Sequence, residues 1–115
     1  MASVPIRVEY DMMFWHDQLF DLWTTACEGG INYWCEVNEY DPSGKDGATL
    51  TYEDQDGFER TVLVDDHARL ITVGLQRLAD NRMIDTLQRI WNNDYDVMDA
   101  DCVVQLSLMN EVIYG

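Results

Sequence analysis

The sequence predicts an α+β domain in which an antiparallel sheet of three to four strands, an N-terminal strand plus a meander, packs against about four helices. Three observations carry that expectation. Short runs before Val64 alternate apolar and polar residues with period two. One early segment, and the whole chain after Val64, instead repeat apolar residues at three- and four-residue steps. A hydrophobic content of 47% in 115 residues supplies one core. Residues 1–115 are read as a single compact domain, without linker, repeat or low-complexity tract.

Val4, Ile6, Val8 and Tyr10 alternate with Pro5, Arg7 and Glu9, as in a half-buried strand, and Pro5 stands near its start where a missing N–H is tolerated. Met12, Trp15, Leu19, Leu22, Trp23 and Ala26 then recur at helical spacing, leaving Asp17, Gln18, Asp21 and Thr25 on the polar side. Gly29-Gly30 is a natural stop, since glycine takes the left-handed conformation cheaply. Alternation returns over Ile31 to Tyr40, with Ile31, Tyr33, Cys35 and Val37 on one face and Trp34, Glu36 and Asn38 on the other. Asp41 to Gly47 is a loop by its turn residues. Ala48–Glu53 and Phe58–Val64 are two further strands around Asp56-Gly57, a strong hairpin signal.

After Val64 the pattern is helical. Asp65 or Asp66 caps a helix with the stripe Leu70, Ile71, Gly74, Leu75 and Leu78. Met83, Ile84, Leu87, Ile90 and Trp91 form a second stripe out of phase with the first, so a break falls near Asp80-Asn81. Asn92-Asn93-Asp94 ends that helix. Asp99 caps the last one, whose core side is Cys102, Val103, Leu106, Met109 and Ile113. Val104, Leu108 and Val112 widen that stripe and make this the most buried helix.

The charge is the strongest functional signal. Seven Lys plus Arg stand against 22 Asp plus Glu, so 7 − 22 = −15, spread along the whole chain and not gathered in a tail. Such a surface repels nucleic acid, phosphates and anionic lipid, and attracts the basic surfaces that bind them. With few basic residues and no basic cluster, direct nucleic-acid binding is not expected. No apolar run spans a bilayer, no basic segment leads into an apolar one, and acid on the amphipathic polar faces has the wrong sign for anionic membranes. A soluble cytoplasmic protein is expected. Cys27, Cys35 and Cys102 are odd in number and form no C-x-x-C pair, which points to buried free thiols.

Motifs for chemistry fail on inspection. Asp94-Tyr-Asp96 with Asp99 and Asp101 looks like a calcium loop. Counted from Asp94, however, the fifth position is Met98, the sixth is Asp99 in place of glycine and the twelfth is Gln105 in place of glutamate. Acids there suit a helix N-terminus, and Asp54-Gln-Asp56-Gly57 suits a hairpin turn. His16 and His67 are read as surface or boundary residues, and Ser43 and Ser107 lie in no nucleophile elbow. Glu28-Gly29-Gly30 follows a helix and precedes a strand, the reverse of a phosphate cradle. No catalytic residue, metal or cofactor is assigned, and enzymatic activity is not expected; it would need a His, Cys or carboxylate cluster that meets only in space.

The stretch Glu28-Gly-Gly-Ile-Asn-Tyr-Trp34 is the most idiosyncratic. Two glycines let the backbone reverse, and Tyr33 and Trp34 then point to opposite sides of a strand. Either both rings pack, or one enters the core while an exposed Trp34 beside acids serves as a hot spot for a partner.

The run from Leu22 through Trp-Thr-Thr-Ala-Cys-Glu-Gly-Gly-Ile-Asn-Tyr to Trp34 resembles small acidic proteins of uncertain function encoded by tailed phages, mainly those of actinobacteria. So do Gly74-Leu-Gln-Arg-Leu-Ala-Asp80, Asp99-Ala-Asp101 and Glu111-Val-Ile-Tyr-Gly115. The resemblance covers most of the chain. It implies a phage origin and expression in bacterial cytoplasm, and it supplies no catalytic residue.

Small size, acidity and the implied origin suggest an antagonist that binds and inhibits a basic, nucleic-acid-binding host protein, its carboxylates standing in for phosphates as a DNA mimic. The expected contact acids lie on predicted solvent faces: Asp17 and Asp21 on the first helix; Glu36 and Glu39 on the strand after it; Glu53, Asp54, Asp56 and Glu59 around the hairpin; Asp65 and Asp66 before the second helix; and Asp94, Asp96, Asp99 and Asp101 around the start of the last. Plain solubility explains each of them equally well. The alternative is a small phage accessory or assembly protein, with homodimers among its arrangements, binding through Tyr33, Trp34 and Tyr40 without mimicry.

Overall fold

The computed structural model describes residues 14–43 and 47–115. The expected strand Val4–Tyr10, Met12 and the side chains of Trp15 and His16 lie outside the described residues. Period-two alternation becomes strand pairing where the hairpin signal stood. β1 (Cys35–Asn38), β2 (Ala48–Glu53) and β3 (Glu59–Val64) form an antiparallel meander in the order β1-β2-β3, with Cys35 opposite Tyr52 and Glu53 opposite Glu59. Alternation sends Cys35, Leu50, Tyr52 and Val64 into the core and leaves Glu36, Glu53, Glu59 and Thr61 exposed on the other face. Gly57 takes φ +83° in the turn, and the Asp54 carboxylate accepts from the Asp56 and Phe58 N–H groups at 2.9 and 3.0 Å. That Asx arrangement closes the hairpin.

α1 (Phe14–Thr25) continues into a π-helical turn, Ala26–Gly30. The helix ends where the glycines stand, for a different reason from the expected one. Neither Gly29 nor Gly30 has positive φ. A Cβ on Gly30 would instead sit 3.0 Å from the Val97 carbonyl oxygen, so this glycine permits close approach to the last helix.

α2 (His67–Asp80) is capped by Asp66, which accepts from the Arg69 N–H at 3.1 Å. The break after Asp80 is present, with Arg82 at φ 58° before α3 (Ile84–Trp91). The α3 stripe is narrower than expected, because Ile84 and Trp91 are exposed while Ile90 is buried. α4 (Val97–Met109) is capped by Asp96, not by Asp99. Asp99 is its capping-box partner: its N–H donates to Asp96 at 3.0 Å and its carboxylate accepts from the Asp96 N–H at 3.3 Å. Asn110, at φ 59°, ends the helix, so Val112 and Ile113 leave the stripe assigned to them and join an extended tail.

The core sits where α1, α2, α4 and the sheet meet, around Trp23, Leu50, Ile71, Leu75, Val103 and Val104. Each such side chain contributes roughly 1.5–3 kcal/mol on burial. α2 crosses α4 in backbone contact at Gly74, where a Cβ would lie 2.2 Å from the Val103 carbonyl oxygen. Among the described residues no helix is long and apolar enough to cross a membrane.

Candidate functional site

A chain with 22 acids and seven cations must satisfy its inward-facing carboxylates largely with other donors. Among the described residues two carboxylates receive arginine. Arg60 donates to Asp54 at 2.7 Å, and Arg89 forks onto Asp99 through Nε at 2.9 Å and Nη2 at 2.7 Å. Each guanidinium holds its carboxyl below the usual carboxylate range, and Arg89 also reaches the Thr86 hydroxyl at 3.2 Å. Arg77 spends its charge on the carbonyls of Leu106 and Ser107, both at 2.8 Å, near the C-terminus of α4.

Elsewhere several donors are aromatic. The Tyr40 hydroxyl donates to Glu28 at 2.7 Å, and the Tyr95 hydroxyl donates to Asp21. Asp101, 7% exposed, accepts from the Tyr33 hydroxyl at 2.5 Å, the Trp34 indole N–H at 2.7 Å and the Gln105 amide at 2.9 Å. Burial and the carboxylate partner push the Tyr33 hydroxyl up to about 12.

These contacts correct part of the acidic surface expected above. Asp54, Asp99 and Asp101 are buried and not on an open acidic face, because each lies beside donors that the fold brings to it. Asp17, Asp21, Glu36, Glu39, Glu53, Asp56, Glu59, Asp65, Asp66, Asp94 and Asp96 are exposed. Among those, Asp66 and Asp96 cap helices, Asp21 accepts from Tyr95, and Glu39 accepts from the Thr49 hydroxyl at 3.3 Å. The structure gathers Glu36, Glu53 and Glu59 on the outer face of the sheet, where Glu36 lies opposite Thr51 and Glu53 directly opposite Glu59. Diagonal neighbours such as Glu36 and Glu53 are separated by about 7–8 Å in such a ladder. Asp17 and Asp21 stand apart on α1, and Asp94 and Asp96 on the α3–α4 loop.

Neither arrangement weighed for the aromatic pair, both rings packed or Trp34 exposed, is the one found. The N–H groups of Trp34 and Cys35 both donate to the Ile31 carbonyl, at 3.1 and 2.9 Å. Ile31 to Trp34 is therefore a turn, and strand alternation begins only at Cys35. Tyr33 is exposed, at 59%, while Trp34 packs inward, stacked on Tyr114 at 5.2 Å and edge-on to Tyr52 at 5.7 Å. Tyr40 is half-buried.

Around Asp101 the structure opens a groove of about 600 Å³. Gly29 and Gly30 of the π-helical turn, Val97, Met98 and Cys102 of α4, Tyr33, and the tail residues Val112 to Gly115 line it. Gln105, fully buried, latches that tail: its Oε1 accepts from the Ile113 and Tyr114 N–H groups, both at 2.9 Å. Neither the groove nor Gln105 was expected from the sequence. The available signal was an amide inside an apolar helical stripe, one turn after Asp101.

The chain matches no protein-family model, no curated protein and no solved structure.

Cys27 and Cys35 are buried free thiols, both pushed up to about 12 chiefly by burial, and burial also raises Cys102, so none is poised as a thiolate. His67 packs between the rings of Phe20 and Trp23, at centroid distances of 5.5 and 6.3 Å. Among the described residues no group of three His, Cys, Asp or Glu side chains could hold a metal ion.

Proposed function

We propose that the protein binds a basic partner and occupies the surface through which a nucleic-acid-binding protein of a bacterial host engages DNA or RNA. One observation carries this reading. Among the described residues Arg60, Arg77 and Arg89 are committed to internal acceptors, which leaves fewer described cations to offset the outward-facing carboxylates, Glu36, Glu53 and Glu59 on the sheet above all. Carboxylates held on a rigid sheet engage phosphate-binding Lys and Arg residues through charge-assisted contacts, and the field of fifteen excess negative charges steers the encounter. The phage origin implied by the Glu-Gly-Gly and Tyr-Trp resemblance makes the host cytoplasm the place of action.

The second reading is an accessory or assembly protein that binds through apolar and aromatic surface, a homodimer included. Tyr33, Val97, Met98 and Val112, exposed around one groove, favour it; Trp34 and Tyr40, half-buried by their own packing, no longer do.

Affinity capture from bacterial lysate, eluted with rising salt, separates the two. Recovery of a DNA- or RNA-binding protein that leaves at moderate salt and is displaced by duplex DNA is the expected result. Recovery of no basic protein, or of a phage protein retained at high salt, would overturn mimicry in favour of the accessory role.

A further inference from the structure

We propose that the groove over Asp101 is a docking pocket for an arginine side chain of the partner protein, with the guanidinium directed at Asp101 and the stem lying along Val97 and Met98. This deepens the preceding reading, since it rests on the partner being basic, and it places a specific contact away from the outer sheet face.

The central observation is a buried carboxylate held by neutral groups. Asp54 and Asp99 each receive an arginine, whereas Asp101 receives a hydroxyl, an indole N–H and an amide, and no described lysine or arginine pairs with it. Three donors fix the position of the carboxylate without cancelling its charge. A carboxylate offers about four acceptor positions. Oδ1 of Asp101 already accepts two hydrogen bonds and Oδ2 one, so Oδ2 retains capacity for another donor. A buried anion of this kind gains most from a cation that arrives already partly stripped of water.

The surroundings favour arginine over lysine. Guanidinium is more weakly hydrated than ammonium and stacks on aromatic faces, and the Tyr33 ring stands exposed beside the carboxylate to which its hydroxyl is tied. Val97, Met98 and Val112 are exposed apolar residues of the same groove, with Met98 at 69%, and they match the aliphatic stem of an arginine. A volume of about 600 Å³ lies within the range of built binding sites. Gly29 leaves one wall without a side chain: its Cβ would meet only Val97 Cγ1, at an ordinary 3.6 Å. That makes Gly29→Leu a blocking substitution without backbone conflict.

The test uses the full chain, ¹⁵N-labelled, titrated at low salt with acetyl-Leu-Arg-Leu-amide and with the same peptide carrying citrulline, the neutral isostere. The expected result is saturable movement of the Trp34 indole N–H and the Gly29, Gly30 and Tyr33 amides. Citrulline should weaken it at least fivefold, Gly29→Leu should abolish it, and Asp101→Asn should weaken it to the citrulline level. If Asp101→Asn fails to fold, the Gly29→Leu and citrulline comparisons still decide. Unsaturated shifts spread over β1 to β3 and indifferent to Gly29→Leu would mean that the peptide merely condenses on acid, and would overturn the pocket while leaving the basic-partner reading intact. No movement at the groove would overturn it equally. Saturable groove binding alongside failed salt-sensitive capture from lysate would retain the pocket and count against the partner reading alone.

Discussion

Gln105 and Asp101 lie one turn apart on α4, and the Gln105 amide donates to the Asp101 carboxylate at 2.9 Å while its carbonyl accepts the N–H groups of Ile113 and Tyr114. One buried side chain therefore joins the carboxylate of the groove to the C-terminal tail. Tyr114 extends the connection, since its ring stacks on Trp34 and its hydroxyl donates to the Glu53 carbonyl at 2.6 Å. Turn, helix, tail and the end of the central strand meet in one polar network, the kind in which losing a single member leaves several groups unsatisfied.

Gln105→Leu removes both acceptor and donor from the centre of that network. Each unsatisfied buried group costs roughly 1–3 kcal/mol, so a loss of about 2–4 kcal/mol is expected. Amide exchange should report a specific pattern, with residues 112–115 losing protection well before the β2–β3 hairpin. Uniform loss across the chain would contradict the latch.

Gly74→Ala tests the crossing of α2 and α4. Alanine favours a helix by up to about 1 kcal/mol, but its methyl would meet a backbone carbonyl at 2.2 Å that cannot rotate away. Separation of the helices should dominate, for a net destabilisation of about 1–3 kcal/mol in chemical denaturation. A neutral or stabilising result would mean that the helices are less closely apposed.

Acid should expose the two arginine–carboxylate pairs. Asp54 and Asp99 are lowered from their ordinary 3.8, so their contribution is present above that value and is lost as pH falls through the lower folded values. Arg89→Met leaves Asp99 buried without its cation. Stability should fall at neutral pH, and the stability curve below pH 3.8 should flatten. Thermal melts of both proteins between neutral and strongly acid pH check the sign.

Alkali should act through tyrosine. The folded state holds the Tyr33 proton up to about 12 against an ordinary 10, with burial and Asp101 as causes, and raises Tyr40 and Tyr95 in the same direction. A raised group stabilises fully below its unfolded value and loses that contribution as pH climbs from 10 towards 12. Melting temperature should therefore fall over that interval, with phenolate absorbance rising at unfolding. Tyr40→Phe with Tyr95→Phe should make the decline shallower.

The hairpin and the α2 cap were legible because their signals are local. Asp56-Gly57 sits between two alternating runs, and Asp66 needs only the Arg69 N–H three residues on. The orientation of Tyr33 and Trp34 was not, since the π-helical turn and the Ile31–Trp34 turn delay the start of strand alternation to Cys35. The burial of Asp101 was hidden for another reason. Its tyrosine donor lies 68 positions away, and one aspartate among 22 acids carries no mark of which will meet such a donor. Asp99 was read correctly as belonging to a helix start, one residue role away from the cap itself.

The most direct measurement is fluorescence anisotropy of a labelled duplex bound to the captured partner, followed as this protein is added at several salt concentrations. The expected result is displacement of the duplex, weakening steeply as salt rises, and at least about tenfold weaker for Glu36→Gln/Glu53→Gln/Glu59→Gln. A partner that holds duplex and protein together, or displacement indifferent to salt and to that triple substitution, would contradict binding through phosphate-like carboxylates.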